Sequence, residues 1–388
     1  MVDSAEHLDT FTIALAEPVD LSHAPNPINE SERLVFRQLF ETLVRLDCQG
    51  KLQPDLATSW HPDSTGRNWT FVIRDGARFP DGSSLTARSV RSDWHTRWSR
   101  LQAVGLDSVK VLDDRTLLVA MRDLRDSLPH LFADPLFSVT SQVNSSAASN
   151  GRIALPPGPT RPTLEIEASP RGDLRDALDA GGDLVVSGDP EVVDYAASRG
   201  EFEIFPLPWD RTYALLQHAG SEPLKANVSD STIHQSLARD AVQTEARPAR
   251  SPYWWNGPCA IYTSMHVTLP TAPRVVYLRT DVVARQLAER MVALAGDSPS
   301  LSAVGMDPSR FADALKHGGD RGYIVALPLR PVSPCRESAE WTSGAYLQPL
   351  IDTRARAIVR RGSPALSVEW DGTVRVARPE GSTAEARP

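Results

Sequence analysis

The sequence predicts an α/β protein with an α+β subdomain, its chain divided between two lobes. Three observations carry this expectation. Between Arg274 and Leu327 strand-like and helix-like stretches alternate, the pattern of a parallel sheet with crossover helices. Thr163 to Leu207 alternates in the same way. Between Phe36 and Met121 the order is a helix, aromatic hairpin strands and another helix, which is a mixed unit.

In chain order, Thr10 to Ala16 (TFTIALA) alternates apolar and polar residues and reads as the first strand. A loop, Glu17 to Asn29, holds Pro18, Pro25 and Pro27. Val35, Phe36, Leu39, Phe40 and Leu43 recur at helical spacing, and Asn29 with Glu32 forms a capping box ahead of them. Val44 to Leu46 is a strand end, Asp47 to Gly50 a turn, and Trp69 to Ile73 a strand. Asp75-Gly76 and Asp81-Gly82 are turn signals around Phe79. Thr86 caps a helix whose Val90, Trp94 and Trp98 form one ridge. Val109 to Val111 and Thr116 to Met121 are strands about the Asp113-Asp114 turn, and Ser127 to Phe137 is a short apolar helix.

Ser141 to Pro162, rich in Ser, Asn, Gly and Pro, reads as a linker. Strands follow at 164–168, 183–187 and 202–207, with helices at 173–180 and 190–199 between them. Ser229 to Val242 reads as helical, and Arg247 to Pro258 as a loop containing Tyr253, Trp254 and Trp255. Strands at 274–278, 301–304 and 323–327 enclose a helix at 280–295 and a second one starting at Asp307-Pro308. Strands at 345–351 and 355–360 come next, then a hairpin at 365–377 turning on Asp371-Gly372. The tail from 379 to 388 is expected to be disordered.

The 388 residues leave room for two to three domains and a large core. With 41% hydrophobic and 23% charged residues the composition is that of an ordinary globular protein. A formal net charge of −8 without a basic cluster argues against nucleic acid and against a charged membrane surface. No apolar run approaches the roughly 18 residues that span a bilayer. There is no H-E-x-x-H, P-loop, G-x-S-x-G or dinucleotide fingerprint, so no enzyme activity, cofactor or metal is expected. Cys48, Cys259 and Cys335 are an odd set without metal spacing. Cys259 and Cys335 fall in the same expected lobe, where they are either a disulfide or, with Cys48, small buried apolar groups.

The stretch FETLVRLDCQGKLQPDLATSWHPDSTGRNWTFVIRDGARFPDGSSLTARSV resembles the signature region of the family 5 extracellular solute-binding proteins, the oligopeptide-, dipeptide- and nickel-binding components of ABC importers. The family pattern D-x-x-G-x-L-x-P-x-L-A-x-S-W is met by Asp47, Gly50, Leu52, Pro54, Leu56, Ala57, Ser59 and Trp60. Arg74, Gly76, Phe79, Asp81 and Gly82, then Leu85, Thr86, Ala87 and Val90, continue it; Ser89 stands where the family carries an acidic residue. The resemblance implies a hinged, two-lobed fold of the type II periplasmic-binding-protein kind. On it, residues 1–30 are a core segment of the first lobe, 31–140 its α+β subdomain, 141–162 the linker and 163–217 its α/β core. Residues 218–344 form the second lobe, 345–378 return to the first, and 379–388 are the tail. The crossings are expected near Leu215 to Gly220 and near Thr342 to Leu347.

By the same resemblance the chain captures a small solute or short peptide between its lobes and delivers it to an ABC permease, as a monomer. Such proteins are periplasmic or attached to the cell surface. The first residues, MVDSAEHLDT, lack the charged-then-apolar pattern of a leader, so the alternative is a cytoplasmic solute-sensing module of a transcription regulator. The loop after the first strand passes the family's cleft, which makes Asn26 and Phe36 candidate ligand residues, a core position being the alternative for Phe36. Aromatic residues gather where the lobes are expected to meet: Trp209, Tyr213, Trp254, Trp255, Trp341 and Tyr346, with core positions the alternative for Tyr213 and Tyr346. Peptide-binding members hold the ligand amine with an Asp after the strand that matches Tyr323 to Leu327; here ALPLRPVSPC has no carboxylate. Arg330 and Arg211 are therefore the candidate anchors, for a ligand with an acidic group.

Overall fold

The computed structural model describes residues 10–79, 81–122, 128–140, 148–149, 152–157, 162–169, 172–218, 235–250, 274–295, 301–317, 321–329 and 345–376. The chain divides into two compact units. Unit 1 takes Met1–Ser187, Glu191–Pro208 and Arg356–Pro388; unit 2 takes Gly188–Pro190 and Trp209–Ala355.

Unit 1 opens with β1 (Thr10–Leu15), α1 (Glu30–Leu39), β2 (Val44–Leu46), β3 (Leu52–Pro54), β4 (Ala57–Pro62) and β5 (Asn68–Ile73). It continues with α2 (Ala87–His95), α3 (Trp98–Ala103), β6 (Leu106–Val111), β7 (Thr116–Met121), α4 (Leu128–Leu131), β8 (Ala148–Ser149) and β9 (Arg152–Leu155). Then come β10 (Thr163–Ala168), α5 (Leu174–Asp179), β11 (Leu184–Ser187), α6 (Pro190–Ala197) and β12 (Phe202–Pro206). Unit 2 holds β13 (Arg211–His218), β14 (Glu245–Pro248), β15 (Arg274–Leu278), α7 (Val282–Leu294), β16 (Ser302–Met306), α8 (Pro308–His317), β17 (Arg321–Pro328) and β18 (Ala345–Arg354). The chain returns to unit 1 with β19 (Arg356–Arg360), β20 (Leu366–Val368) and β21 (Val374–Val376).

The main sheet of unit 1 has the order β12-β19-β11-β1-β10-β9-β8. Buried apolar residues of β1, Ile13 and Leu15 among them, lie between the parallel neighbours β10 and β11. A second sheet, β4-β5-β7-β6, buries Phe71 and Ile73. Against that core stands Trp94 of α2, fully buried, its indole N–H donating to the Phe137 carbonyl at 3.2 Å and its ring stacked on Phe132. Thr86 and Ser89 form a complete reciprocal capping box, so the Ser at the position where the family has an acid serves the helix start itself.

Several expectations are corrected. The helix from Thr86 does not run to Trp98: it ends at His95, Arg97 takes φ −125°, and α3 begins afresh, which breaks the ridge after Trp94. The Asn29 cap forms, accepting from the Glu32 N–H at 2.8 Å, but the Glu32 carboxylate turns into the preceding loop instead of closing the box. Within the expected linker 141–162, Arg152–Leu155 is a strand whose Ile153 and Leu155 are buried and which pairs antiparallel with β10. β14 pairs with β18 in what reads as a loop, and the described part of the expected helix 229–242 is a short π-helical turn, Leu237–Ala241. The two expected crossings fall at 208/209 and 355/356, because β13 and β18 pair with each other inside the sheet of unit 2 along their lengths; Gly188–Pro190 is a further short excursion into unit 2. The tail 379–388 lies outside the described residues.

Candidate functional site

The sheet of unit 2 has the order β14-β18-β13-β17-β15-β16, and β17, β15 and β16 are parallel. Helix α7 forms because Asp281 caps it, accepting from the Ala284 N–H at 2.9 Å, and because Ala284, Leu287, Ala288 and Met291 make one buried stripe. That stripe packs on Val275, Ile324, Tyr213 and Leu215. Tyr323, next to Ile324 and so on the opposite face, meets α8: its ring lies 6.2 Å from that of Phe311 and its hydroxyl donates to the Ala314 carbonyl at 3.1 Å. The two helices thus cover opposite faces of the sheet. Between β15 and β17 the connections diverge, and the carboxyl ends of these strands are the place where open α/β sheets take ligands.

Three polar side chains stand at this edge. Arg211 and Tyr213 enter there on β13, opposite Pro328 and Ala326 of β17. The hydroxyl of Tyr213 lies 3.2 Å from each oxygen of Asp281. Burial pushes the Tyr213 phenol well above its ordinary value, against the opposite pull of the Arg211 guanidinium. The phenol therefore stays a donor and the Asp281 carboxylate its acceptor. Leu329, just past β17, donates its N–H to the Asp210 carbonyl at 2.6 Å, tying the end of β17 to the start of β13.

Trp209 stands beside this edge but is already engaged. The guanidinium of Arg247 lies over its ring at 4.3 Å from the centroid and that of Arg354 at 4.5 Å. Arg247 donates through Nε to Asp352 at 2.9 Å, Arg354 is paired with Glu245, and the fully buried Asp352 also accepts from the Thr212 hydroxyl at 2.8 Å.

Of the candidate ligand residues, Trp209, Arg211 and Tyr213 thus meet at the entry to unit 2, with Tyr213 buried in its core. Tyr346 belongs to β18 opposite Gln217, six residues along β13 from Arg211 and so roughly 20 Å away at about 3.4 Å per residue; its side chain lies outside the described residues. Trp254, Trp255, Arg330 and Trp341 lie outside them too, as do Cys259 and Cys335. In unit 1, Phe36 is buried at 4% exposure beside Phe40, a core position, and Asn26 is half-buried with its N–H on the His23 carbonyl at 2.8 Å. Asp281, Asp352, Arg247 and Arg354 have no place among the sequence candidates. Only Asp281 carries a local signal, an Asp immediately before an apolar helical run.

Residues 51–160 match the model described as bacterial extracellular solute-binding proteins, family 5 Middle. Over this stretch the chain is similar to the family 5 extracellular solute-binding proteins. It is 38% identical over 85 residues to the periplasmic murein peptide-binding protein MppA of Escherichia coli, a stretch that is 22% of this chain and 15% of that one. It is likewise 38% identical over 87 residues to the periplasmic oligopeptide-binding protein OppA of Haemophilus influenzae, again 22% and 15% of the two chains. The matched stretch spans about one-seventh of the length of these curated relatives. The fold is shared much further. NikZ from Campylobacter jejuni, solved with Ni(L-His), superposes with a TM-score of 0.65 at 15% identity, covering 94% of this chain and 97% of its own. The pheromone receptor PrgZ gives 0.66 at 11% identity, covering 95% and 99%. The fold is that of the family 5 periplasmic binding proteins.

Proposed function

We propose that this protein is a solute-binding protein that captures a small solute or short peptide and hands it to an ABC transporter permease outside the cytoplasmic membrane. The observation that carries the reading is the placement of Arg211, Tyr213 and Asp281 at the carboxyl edge of the parallel strands of unit 2. The family 5 fold along nearly the whole chain supports it. The protein acts as a monomer and by binding alone. The ligand carries a carboxylate or comparable acidic group, oriented by Arg211 together with Arg330, since a guanidinium fork fits a carboxylate. Trp254 and Trp255 supply the apolar contact.

A thermal-shift screen of peptides, amino acids, sugars and acidic metabolites, followed by calorimetry, tests this. The best ligand should be acidic, and Arg211→Ala should weaken it about tenfold or more, the loss of one charge-assisted contact of roughly 1.5 to 3 kcal/mol. A best ligand that is neutral or a free-amine peptide, bound equally by Arg211→Ala and Arg330→Ala, overturns the anchor. No binding to any of these classes overturns the function.

A further inference from the structure

The two strands that leave unit 2 do so side by side. β13 begins and β18 ends at the same end of the sheet, with Arg211 opposite Thr353 and Thr212 opposite Asp352. In unit 1 the continuations pair as well, β12 with β19, and Pro206 lies opposite Arg356. Each crossing is therefore short. On the first, Leu207 is buried at 2% exposure in unit 1, and Asp210 and Thr212 are bonded into unit 2. On the second, only Ala355 separates β18 from β19.

We propose that Trp209, Arg247 and Arg354 form a clasp that ties the start of β13 and the end of β18 to each other and to β14, so that the unit 2 ends of both crossings are held fixed. The contacts make a closed circuit. Trp209 belongs to the first crossing and Arg354 to the second, and the Arg354 guanidinium over the indole joins them directly. Arg247 of β14 lies over the same ring and bonds Asp352, which accepts from Thr212, three residues beyond Trp209. Glu245 holds Arg354 from the other side of the β14–β18 pair. An indole under two guanidiniums has aromatic surface engaged within the protein, so the role of Trp209 is positioning. Without the clasp the two crossings lose their side-chain link, and only strand pairing and the Leu329 bond to Asp210 hold their unit 2 ends. Pro208 limits its own segment further by fixing φ. This inference needs no ligand and stands or falls apart from the binding reading.

Hydrogen–deuterium exchange of the full chain tests it. In Trp209→Ala, amides of 209–212 and 352–356 should exchange at least tenfold faster, while those of 275–291 in the core of unit 2 keep their rates. Trp209→Phe, which retains an aromatic face, should restore most of the protection, and Arg354→Met should loosen both crossings together. Unchanged rates at 209–212 and 352–356 overturn the clasp. Equal acceleration at 275–291 overturns it too, since the ring would then serve only the general stability of the unit. If Trp209→Ala does not fold, Arg354→Met alone decides: acceleration of 352–356 without 209–212 sinks the proposal.

Discussion

Two clusters of charge hold the chain together over long sequence distances, and they differ in how much water reaches them. In unit 1 the hairpin β20–β21 packs on α1. Arg375 bonds Asp55 at 3.0 and 3.1 Å and approaches Glu369 at 2.8 Å, while Arg37 reaches Glu369 at 3.0 Å and the Ala133 carbonyl at 3.1 Å. The side chains of Asp55, Glu369 and Arg37 are at most 6% exposed. In unit 2, only Asp352 of the clasp is fully buried; Arg247, Arg354 and Glu245 remain 21% to 28% exposed. The first cluster is a set of desolvated ions, each needed to neutralise the next. The second is a partly hydrated frame that orients a ring. What an ion pair contributes to stability therefore depends on its burial and not on its presence alone.

The largest expected effect follows from removing one ion of the buried set. Arg375→Met leaves Asp55 without its ion-pair partner and Glu369 with Arg37 alone, and should cost about 3 to 5 kcal/mol. Glu245→Gln in unit 2 should cost less than about 1 kcal/mol. Denaturant unfolding of both variants gives the comparison, and similar losses would remove the distinction. Acid sharpens it. Burial opposes ionisation of Asp55, but Arg375 outweighs it and holds the carboxyl below its usual range; Arg37 and Arg33 do the same for Asp371. Their stabilisation is complete above the unfolded carboxyl value and is lost as pH falls through the lower folded one. Glu369 runs the other way, because burial pushes its carboxyl up despite Arg37 and Arg375.

A middle-sized effect belongs to Asp281, which serves two partners. Asp281→Ala removes the cap of α7 and leaves the buried Tyr213 hydroxyl without its acceptor, at a cost of about 2 to 3 kcal/mol. Tyr213→Phe removes only the hydroxyl and should cost about 1 to 2 kcal/mol. If Tyr213→Phe proves the more damaging in thermal unfolding, the hydroxyl has a further acceptor and the pairing with Asp281 is secondary.

Much of the fold is legible because its signals are local. The alternation of TFTIAL, the capping residues Asn29 and Thr86, the stripe of α7 and the Asp371-Gly372 turn all act within a few residues. Gly372 takes φ 79° at that turn, and Gly50 takes φ 76° under the Trp370 ring, where an added Cβ would come within 3.2 Å. What was not legible is set by partners far away in sequence. Arg375 and Asp55 are 320 residues apart, Arg354 and Glu245 109, and nothing near either member of a pair announces the other. The crossings lie at 208/209 and 355/356, away from the expected Leu215 to Gly220 and Thr342 to Leu347, for a related reason. Thr212 is already buried inside unit 2 because Asp352 waits across the β13–β18 pair, a partner 140 residues away. Composition hid β9 in the same manner, since two buried residues, Ile153 and Leu155, suffice to seat a short edge segment. At the site, Arg211 and Tyr213 were visible by type, but the engagement of Trp209 by two arginines was not.

The smallest effect concerns the loop that precedes α1, where a single buried carboxylate does the work of a core. Glu32, 1% exposed, accepts from the N–H groups of Asp20 at 3.2 Å and Ile28 at 2.8 Å, and its Oε1 lies 2.7 Å from His23 Nδ1. Asp20 is the other acid near that ring, 3.9 Å from Nε2. The hydrogen bond to Glu32 raises the His23 pKa above its ordinary value, and Asp20 adds to the attraction. A histidine raised in the folded state contributes its stabilisation fully below the unfolded value and loses it as pH rises through the folded one. The loop from Asp20 to Ile28, which carries Asn26, should therefore be held most firmly under mildly acidic conditions and loosen toward the alkaline side. Proton NMR of the His23 ring should show a midpoint above about 6.5, the ordinary histidine value, and Glu32→Gln should bring it down toward that value. A midpoint at or below 6.5 in the unaltered protein, or one that Glu32→Gln leaves in place, would show that the imidazole is not charged against Glu32 and that backbone bonds alone tie the loop.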